Sequence, residues 1–218
     1  MSSIPAAPGS DASPTPTPAL RAVVATHNAH KVAELQRILG AALPGLELVA
    51  YDGPSPVEDG DSFAANALIK ARAAAEHTGL IAIADDSGVS VNALGGAPGI
   101  DSAHYSGERD DAANVEHLLA NLADVPADER TAQFSCAAAL VDPARTDDTR
   151  EHVELGIWPG RVALEAAGGG GFGYDPVFIP EGLDVTSAQI SADEKNAISH
   201  RARAFAALAA VMRERYGA

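Results

Sequence analysis

The sequence predicts an α/β fold: one domain of two lobes built on a mixed β-sheet and flanked by helices. Two observations carry this. From Leu20 to Leu122, β-branched runs alternate with segments whose apolar residues recur at helical spacing, the order of a βαβ chain. After that the pattern changes: Thr131 to Val141 and Arg150 to Trp158 flank a polar Asp/Pro/Thr loop and read as an antiparallel hairpin. A sheet that is parallel in its first half and antiparallel in its second is mixed. The chain has no internal repeat, and 218 residues suffice for one sizeable core.

Residues 1–19 consist largely of Pro, Ser, Thr and Ala and cannot bury enough apolar surface to offset their ordering entropy, so they read as a disordered tail, with the folded domain spanning 20–218. Arg21 to Ala25 is a short strand, and Thr26-His27-Asn28 a polar turn. Ala29 to Leu39 carries Val32, Leu35, Ile38 and Leu39 at helical spacing, with Gly40 as the expected stop. Leu46 to Tyr51 is a second strand, followed by a Pro/Gly/Asp loop to Gly60. Ser62 is placed to cap a helix from Phe63 to His77, closed by Gly79. Residues 80–84 form the next strand, leaving a long Gly-rich loop from Ser87 to Gly107. Asp110 to Leu122 is a further amphipathic helix. A glycine-rich break at 168–173 precedes the short run Pro176 to Ile179, and Glu194 to Tyr216 reads as one long final helix.

The formal net charge of −15 argues against a general nucleic-acid surface, which needs clustered Lys and Arg, but not against a phosphorylated small molecule. No stretch approaches the length of a membrane span, and the N-terminus lacks the order of a secretion signal, so a cytoplasmic location is expected. The single cysteine, Cys136, allows no intramolecular disulfide and sits in an apolar run that suits a structural thiol.

Asp85 and Asp86 fall where an apolar run breaks into Ser-Gly, at the expected C-terminal end of a strand, the edge where open α/β sheets bind ligands. Adjacent carboxylates repel unless a cation or proton relieves them, so the pair reads either as a solvated turn or as a cation site. Thr26 to Lys31 has the layout of an anion site at a helix N-terminus, though without the glycines of a P-loop, and taken alone Thr26 and Asn28 read first as caps. Lys70, in an Ala-rich helix, is either a surface residue or a point charge for phosphate. In GGGGFGYDP (168–176), Phe172 and Tyr174 either stack on a nucleobase or pack into the core. Ser191 and Glu194 have the form of a capping box, after which Lys195, His200 and Arg201 place three basic side chains within two turns. Acids for a divalent metal, cations for a polyphosphate and an aromatic for a base together match nucleoside triphosphate chemistry.

The same segments, VVATHNAHKVAEL, FAANALIKARAA, IADDSGVSVNALGGAPGIDSAHYSG, WPG, GFGYDPVF and EKNAISHRARA, resemble in order and spacing the inosine triphosphate pyrophosphatase (Ham1) family, from about residue 21 to the C-terminus. The resemblance implies hydrolysis of ITP, dITP or XTP to the monophosphate and pyrophosphate, with Mg2+ as cofactor, by a homodimer. It also implies a long central mixed sheet with the active-site cleft between two lobes. It assigns Thr26, His27, Asn28, Ala29, His30 and Lys31 to the phosphates, and Lys70 likewise. It makes Glu58 and Asp86 the metal ligands, Asp86 also the base toward water, Asp85 its support and Ser87 a substrate contact. Phe172, Gly173, Tyr174 and Asp175 are expected to hold the base, with Lys195, His200 and Arg201 reading its oxo edge. His27 stands where many relatives carry glycine, and Ala65 where they often carry an acid. Two other readings fit the same residues: a Maf-like pyrophosphatase of different nucleotide specificity, and a non-catalytic nucleotide-binding protein.

Overall fold

The computed structural model describes residues 20–217; the segment expected to be a disordered tail lies outside them. Strands β1 (Leu20–Val24), β2 (Leu46–Ala50), β3 (Ile81–Val91), β4 (Thr131–Val141), β5 (Glu151–Val162) and β6 (Phe178–Pro180) form one sheet in the order β2-β1-β3-β4-β5-β6. Helices α1 (Ala29–Ala42), α2 (Phe63–Thr78), α3 (Asp111–Asn121), α4 (Ala192–Ile198) and α5 (His200–Tyr216) complete the chain. β1 runs parallel to β2 and β3, because α1 and α2 carry the chain back across the sheet; β3 to β6 pair antiparallel. The sheet is mixed, as the sequence predicts. Among the described residues no helix is long and apolar enough to cross a membrane.

Each face of the sheet has its own core. Ala67, Ala71 and Ala74 of α2 lie on Ala82, Ala84, Ala137 and Ala139, small side chains that let helix and sheet approach closely. On the opposite face Leu35 and Leu39 of α1 and Phe205 and Leu208 of α5 pack on Ile83, Cys136 and Leu140. Where the long strands continue beyond these helices, Val89, Val91, Phe134 and Trp158 join Val115 and Leu118 of α3 in a third cluster. Gly156 of β5 faces α5 so closely that a Cβ there would stand 2.0 Å from the carbonyl oxygen of His200.

The caps of α2 are as expected: Ser62 accepts from the Ala65 amide at 3.3 Å, and Gly79 closes the helix at φ +67°. Three expectations are corrected. First, Asp85 and Asp86 do not end a strand, and Ser87-Gly88 is not a turn. β3 runs on to Val91 because every residue from Ala82 to Val91 pairs with β4, so the expected 87–107 loop begins only after Val91. Second, Gly40 does not stop α1, which continues to Ala42; an exposed helical glycine costs about 1 kcal/mol but breaks nothing, and the chain turns only at Pro44. Third, the final helix is two helices. Ser199 takes an extended conformation (ψ 164°), gives its N–H to the Lys195 carbonyl at 2.9 Å and accepts the Ala202 amide at 3.2 Å, ending α4 and capping α5. A serine hydroxyl competes for such backbone groups, which is why helical periodicity alone misses the break.

Candidate active site

The site forms where β1 leaves the sheet. Pairing of β1 with β3 ends at Val24–Ile83, and the next residues of β3 are Ala84, Asp85 and Asp86. Successive strand residues point to opposite faces, so the two acids part. Asp85 lies under α1 and α5, Asp86 under α2. The repulsion expected of neighbouring carboxylates is relieved by this alternation, and the two acids pair with different cations.

On the first face the Asp85 side chain is 1% exposed. It accepts from Lys31 Nζ at 3.1 and 3.2 Å, and from Nε and one terminal nitrogen of Arg201 at 3.2 and 3.1 Å. Burial alone would raise its pKa, but Lys31 and Arg201 overcome that and hold the carboxyl well below the usual carboxylate range. Arg201, equally buried, also donates to Glu34 at 2.8 Å and to the Ser87 hydroxyl at 2.9 Å. Four of its N–H groups are thus engaged, of the five a guanidinium carries. Arg201 is first a strut, with little left for a ligand.

On the second face Lys70 Nζ donates to Glu58 at 2.7 Å and to Asp86 at 2.9 Å. Burial opposes the Lys70 ammonium, but Asp86, Asp85 and Glu58 outweigh it and raise its pKa. Burial likewise raises the Asp86 carboxyl, against the pull of Lys70. Glu58 arrives on the loop after β2, where the Gly60 amide is held by the buried Asn66 at 2.9 Å. Among the described residues no group of three or more His, Cys, Asp or Glu is placed to cage a metal. Two carboxylates converging on one ammonium, Glu58 and Asp86, are the oxygen donors that would hold a hard divalent cation.

The turn after β1 is the third side. Thr26 Oγ1 accepts the Asn28 amide at 3.1 Å, and Asn28 Oδ1 accepts the Lys31 amide at 3.2 Å, so Asn28 caps α1 while the turn opens onto the cleft. Ala29 and His30 begin that helix. His27, in the place of glycine, needs no special backbone: no described residue other than glycine has a positive φ. Its ring lies 5.5 Å from that of Tyr51, and Nδ1 is 3.2 Å from the Ser55 hydroxyl.

The far wall comes from the glycine-rich segment and the α4–α5 junction. The half-buried ring of Phe172 has Lys195 Nζ at 4.9 Å and the Arg201 guanidinium at 5.4 Å from its centroid. Lys195 pairs with Asp175, whose carboxylate also takes the Phe172 amide and the Ser187 hydroxyl, both at 2.8 Å. Asp175 therefore shapes the loop. Both aromatics line the cleft, but Phe172 is half-buried there whereas Tyr174 is also packed into the third cluster, its hydroxyl donating to the Ser102 carbonyl at 2.8 Å. The Gly173 amide is held by Asp111 at 2.8 Å. His200 stacks on Phe134 at 4.6 Å and 8°; burial holds its pKa well below the ordinary value, so the ring is neutral.

All four walls border one cleft of about 930 Å³, large enough for a nucleotide. Sequence reasoning missed Glu34 and Phe134. Glu34 had a signal, as a charge three residues after Lys31 on the helix face that carries Leu35 and Ile38. Phe134 had none, since an aromatic in a strand is ordinary core.

Fold and site define an α/β protein with a nucleotide-sized cleft in which paired acids and cations meet an aromatic wall. The chain belongs to the Ham1 family, whose model matches residues 22–211. It is 57% identical over 195 residues to a dITP/XTP pyrophosphatase of Leifsonia xyli, covering 89% of this chain and 96% of that one. Among solved structures it resembles a HAM1 protein from Coxiella burnetii with TM-score 0.79 and 38% identity, covering 89% and 99% of the two chains. The nucleoside-triphosphatase (dITP/XTP pyrophosphatase) of Mycobacterium abscessus is 47% identical, with TM-score 0.69 over 87% and 98%.

Proposed function

We propose that this chain hydrolyses non-standard purine nucleoside triphosphates, dITP, ITP and XTP, to the monophosphate and pyrophosphate. The observation that carries the reading is that one cleft is lined both by Lys31, Lys70 and the turn that opens α1 and by Phe172, Lys195 and neutral His200. The cations suit a triphosphate and the half-buried Phe172 ring suits its base. The names of the relatives above supply the substrate class.

Glu58 and Asp86 would hold Mg2+, which lowers the pKa of a bound water and neutralises phosphate charge. Asp86 takes the proton of the water that attacks the α-phosphorus, and pyrophosphate leaves with the bridging oxygen. Lys31 and Lys70 offset its charge. Asp85 keeps Lys31 and Arg201 in place from the opposite face of β3. At the base, the remaining N–H of Arg201 and the N–H of neutral His200 are donors for a 6-oxo group, which adenine replaces with a donor of its own. Leu155 and Ile157, exposed on one face of β5, support assembly as a homodimer, which sedimentation equilibrium would read directly.

The test is phosphate analysis after incubation with ITP, XTP, dITP, ATP and GTP, with and without Mg2+. Pyrophosphate from the first three, in the presence of the metal, is expected. Release of orthophosphate, or equal turnover of ATP, would overturn the proposal.

A further inference from the structure

Glu58 and Asp86 belong to different elements, a loop and the middle of β3, and meet at one ammonium group. Lys70 stands 2.7 Å from the first and 2.9 Å from the second, with 13% of its side chain exposed. The Asp86 contact is therefore made largely away from bulk water, where charge interactions are strong, while Glu58, 37% exposed at its side chain, makes the other contact nearer to solvent.

We infer that Lys70 is an internal stand-in for the divalent cation: it binds Glu58 and Asp86 together in the nucleotide-free protein, and surrenders both when a cation and a phosphate chain arrive. This rests on the assignment of Glu58 and Asp86 as metal ligands. Two carboxylates and one ammonium leave a net negative charge, so a divalent ion is still attracted. Once it binds, Lys70 becomes a like charge beside it and must move. A lysine can do so, being a point charge on a flexible stem that gives up no bidentate geometry. The other acid that acts on it, Asp85, lies on the other face of β3, tied to Lys31 and Arg201, and is not free to take it. The incoming phosphates supply the partner. Lys70 thereby makes the cation weakly bound without nucleotide and couples the two ligands, each raising the affinity of the other by the same factor.

The test is calorimetric titration of the nucleotide-free protein with Mn2+, which involves no turnover. Lys70→Met is expected to bind Mn2+ at least tenfold more tightly than the wild type, with Lys70→Arg remaining near the wild-type value. The gain should vanish in the Glu58→Gln/Lys70→Met double variant. Thermal unfolding establishes that each variant is folded, and Lys70→Gln serves if Lys70→Met is not. Equal or weaker binding by the folded single variant overturns the inference, as does a gain that persists without Glu58. Either failure leaves the pyrophosphatase reading standing, and a protein that releases no pyrophosphate still gives a valid metal titration.

Discussion

Replacing Asp85 with asparagine keeps the shape of the side chain and removes its charge. The side chain is 1% exposed and receives two contacts from Lys31 and two from Arg201, whose side chain is also 1% exposed. Removing one member of a buried ion pair costs roughly 3–5 kcal/mol, because the partner is left buried with its charge uncompensated. Glu34 still faces Arg201, and the Lys31 side chain is 19% exposed, so the lower half of that range is the expectation. For a domain of this size each kcal/mol moves the midpoint by roughly 2–4 °C, giving a fall of about 6–16 °C for 3–4 kcal/mol. Calorimetry and urea unfolding measure it. The pH dependence has a definite sign: the folded carboxyl is held below its unfolded value near 3.9. Its contribution is complete above that value and lost as pH falls through the folded pKa. The deficit of Asp85→Asn should then be constant from pH 5 to 8 and shrink only below about pH 4. In a cycle with Arg201→Met, the double variant should be more stable than the sum of the singles by at least about 1 kcal/mol. A loss under about 1 kcal/mol, or strict additivity, would refute the buried-network argument.

Two further variants probe the chemistry and the frame. Asp86→Asn removes the proposed base and should lower kcat for ITP by at least about a hundredfold, while equilibrium dialysis finds the nucleotide Kd changed by less than about tenfold. Unimpaired turnover would remove Asp86 from the mechanism. Gly156→Ala sets a methyl group 2.0 Å from the His200 carbonyl oxygen and 2.6 Å from the Ala204 nitrogen, so α5 must lift from the sheet. A loss of about 3 kcal/mol, the upper end for overpacking, is expected by urea unfolding, together with a raised KM through displaced His200 and Arg201. Wild-type stability in that variant would mean that α5 does not pack there.

Much of this was legible because local rules and the tertiary fold agree. The caps at Ser62, Gly79 and Ser191, the 131–158 hairpin and the amphipathic helices each follow from short-range chemistry, and the structure repeats them. The failures sit where a rule was suspended. Strand periodicity stops at Asp85 because acids replace apolar residues, so sequence reads an end where backbone pairing continues. The helix break at Ser199 leaves no gap in the apolar pattern and depends on one hydroxyl. Phe172 and Tyr174 are two residues apart in one glycine-rich segment, and only the packing of Val115, Trp158 and Phe178 decides which of them is core.

The largest gain concerns the two adjacent acids. As a turn they would share one environment and compete for one cation; as strand neighbours they cannot. The pleat gives Asp85 to the side where α1 and α5 close the core, and there its charge fixes Lys31 and Arg201. It gives Asp86 to the side where α2 and the Glu58 loop meet, and there its ion-pair partner is Lys70. A fixed ion network and an exchangeable one thus stand back to back across a single strand. One carboxylate can then change its partner during turnover without disturbing the frame that the other holds.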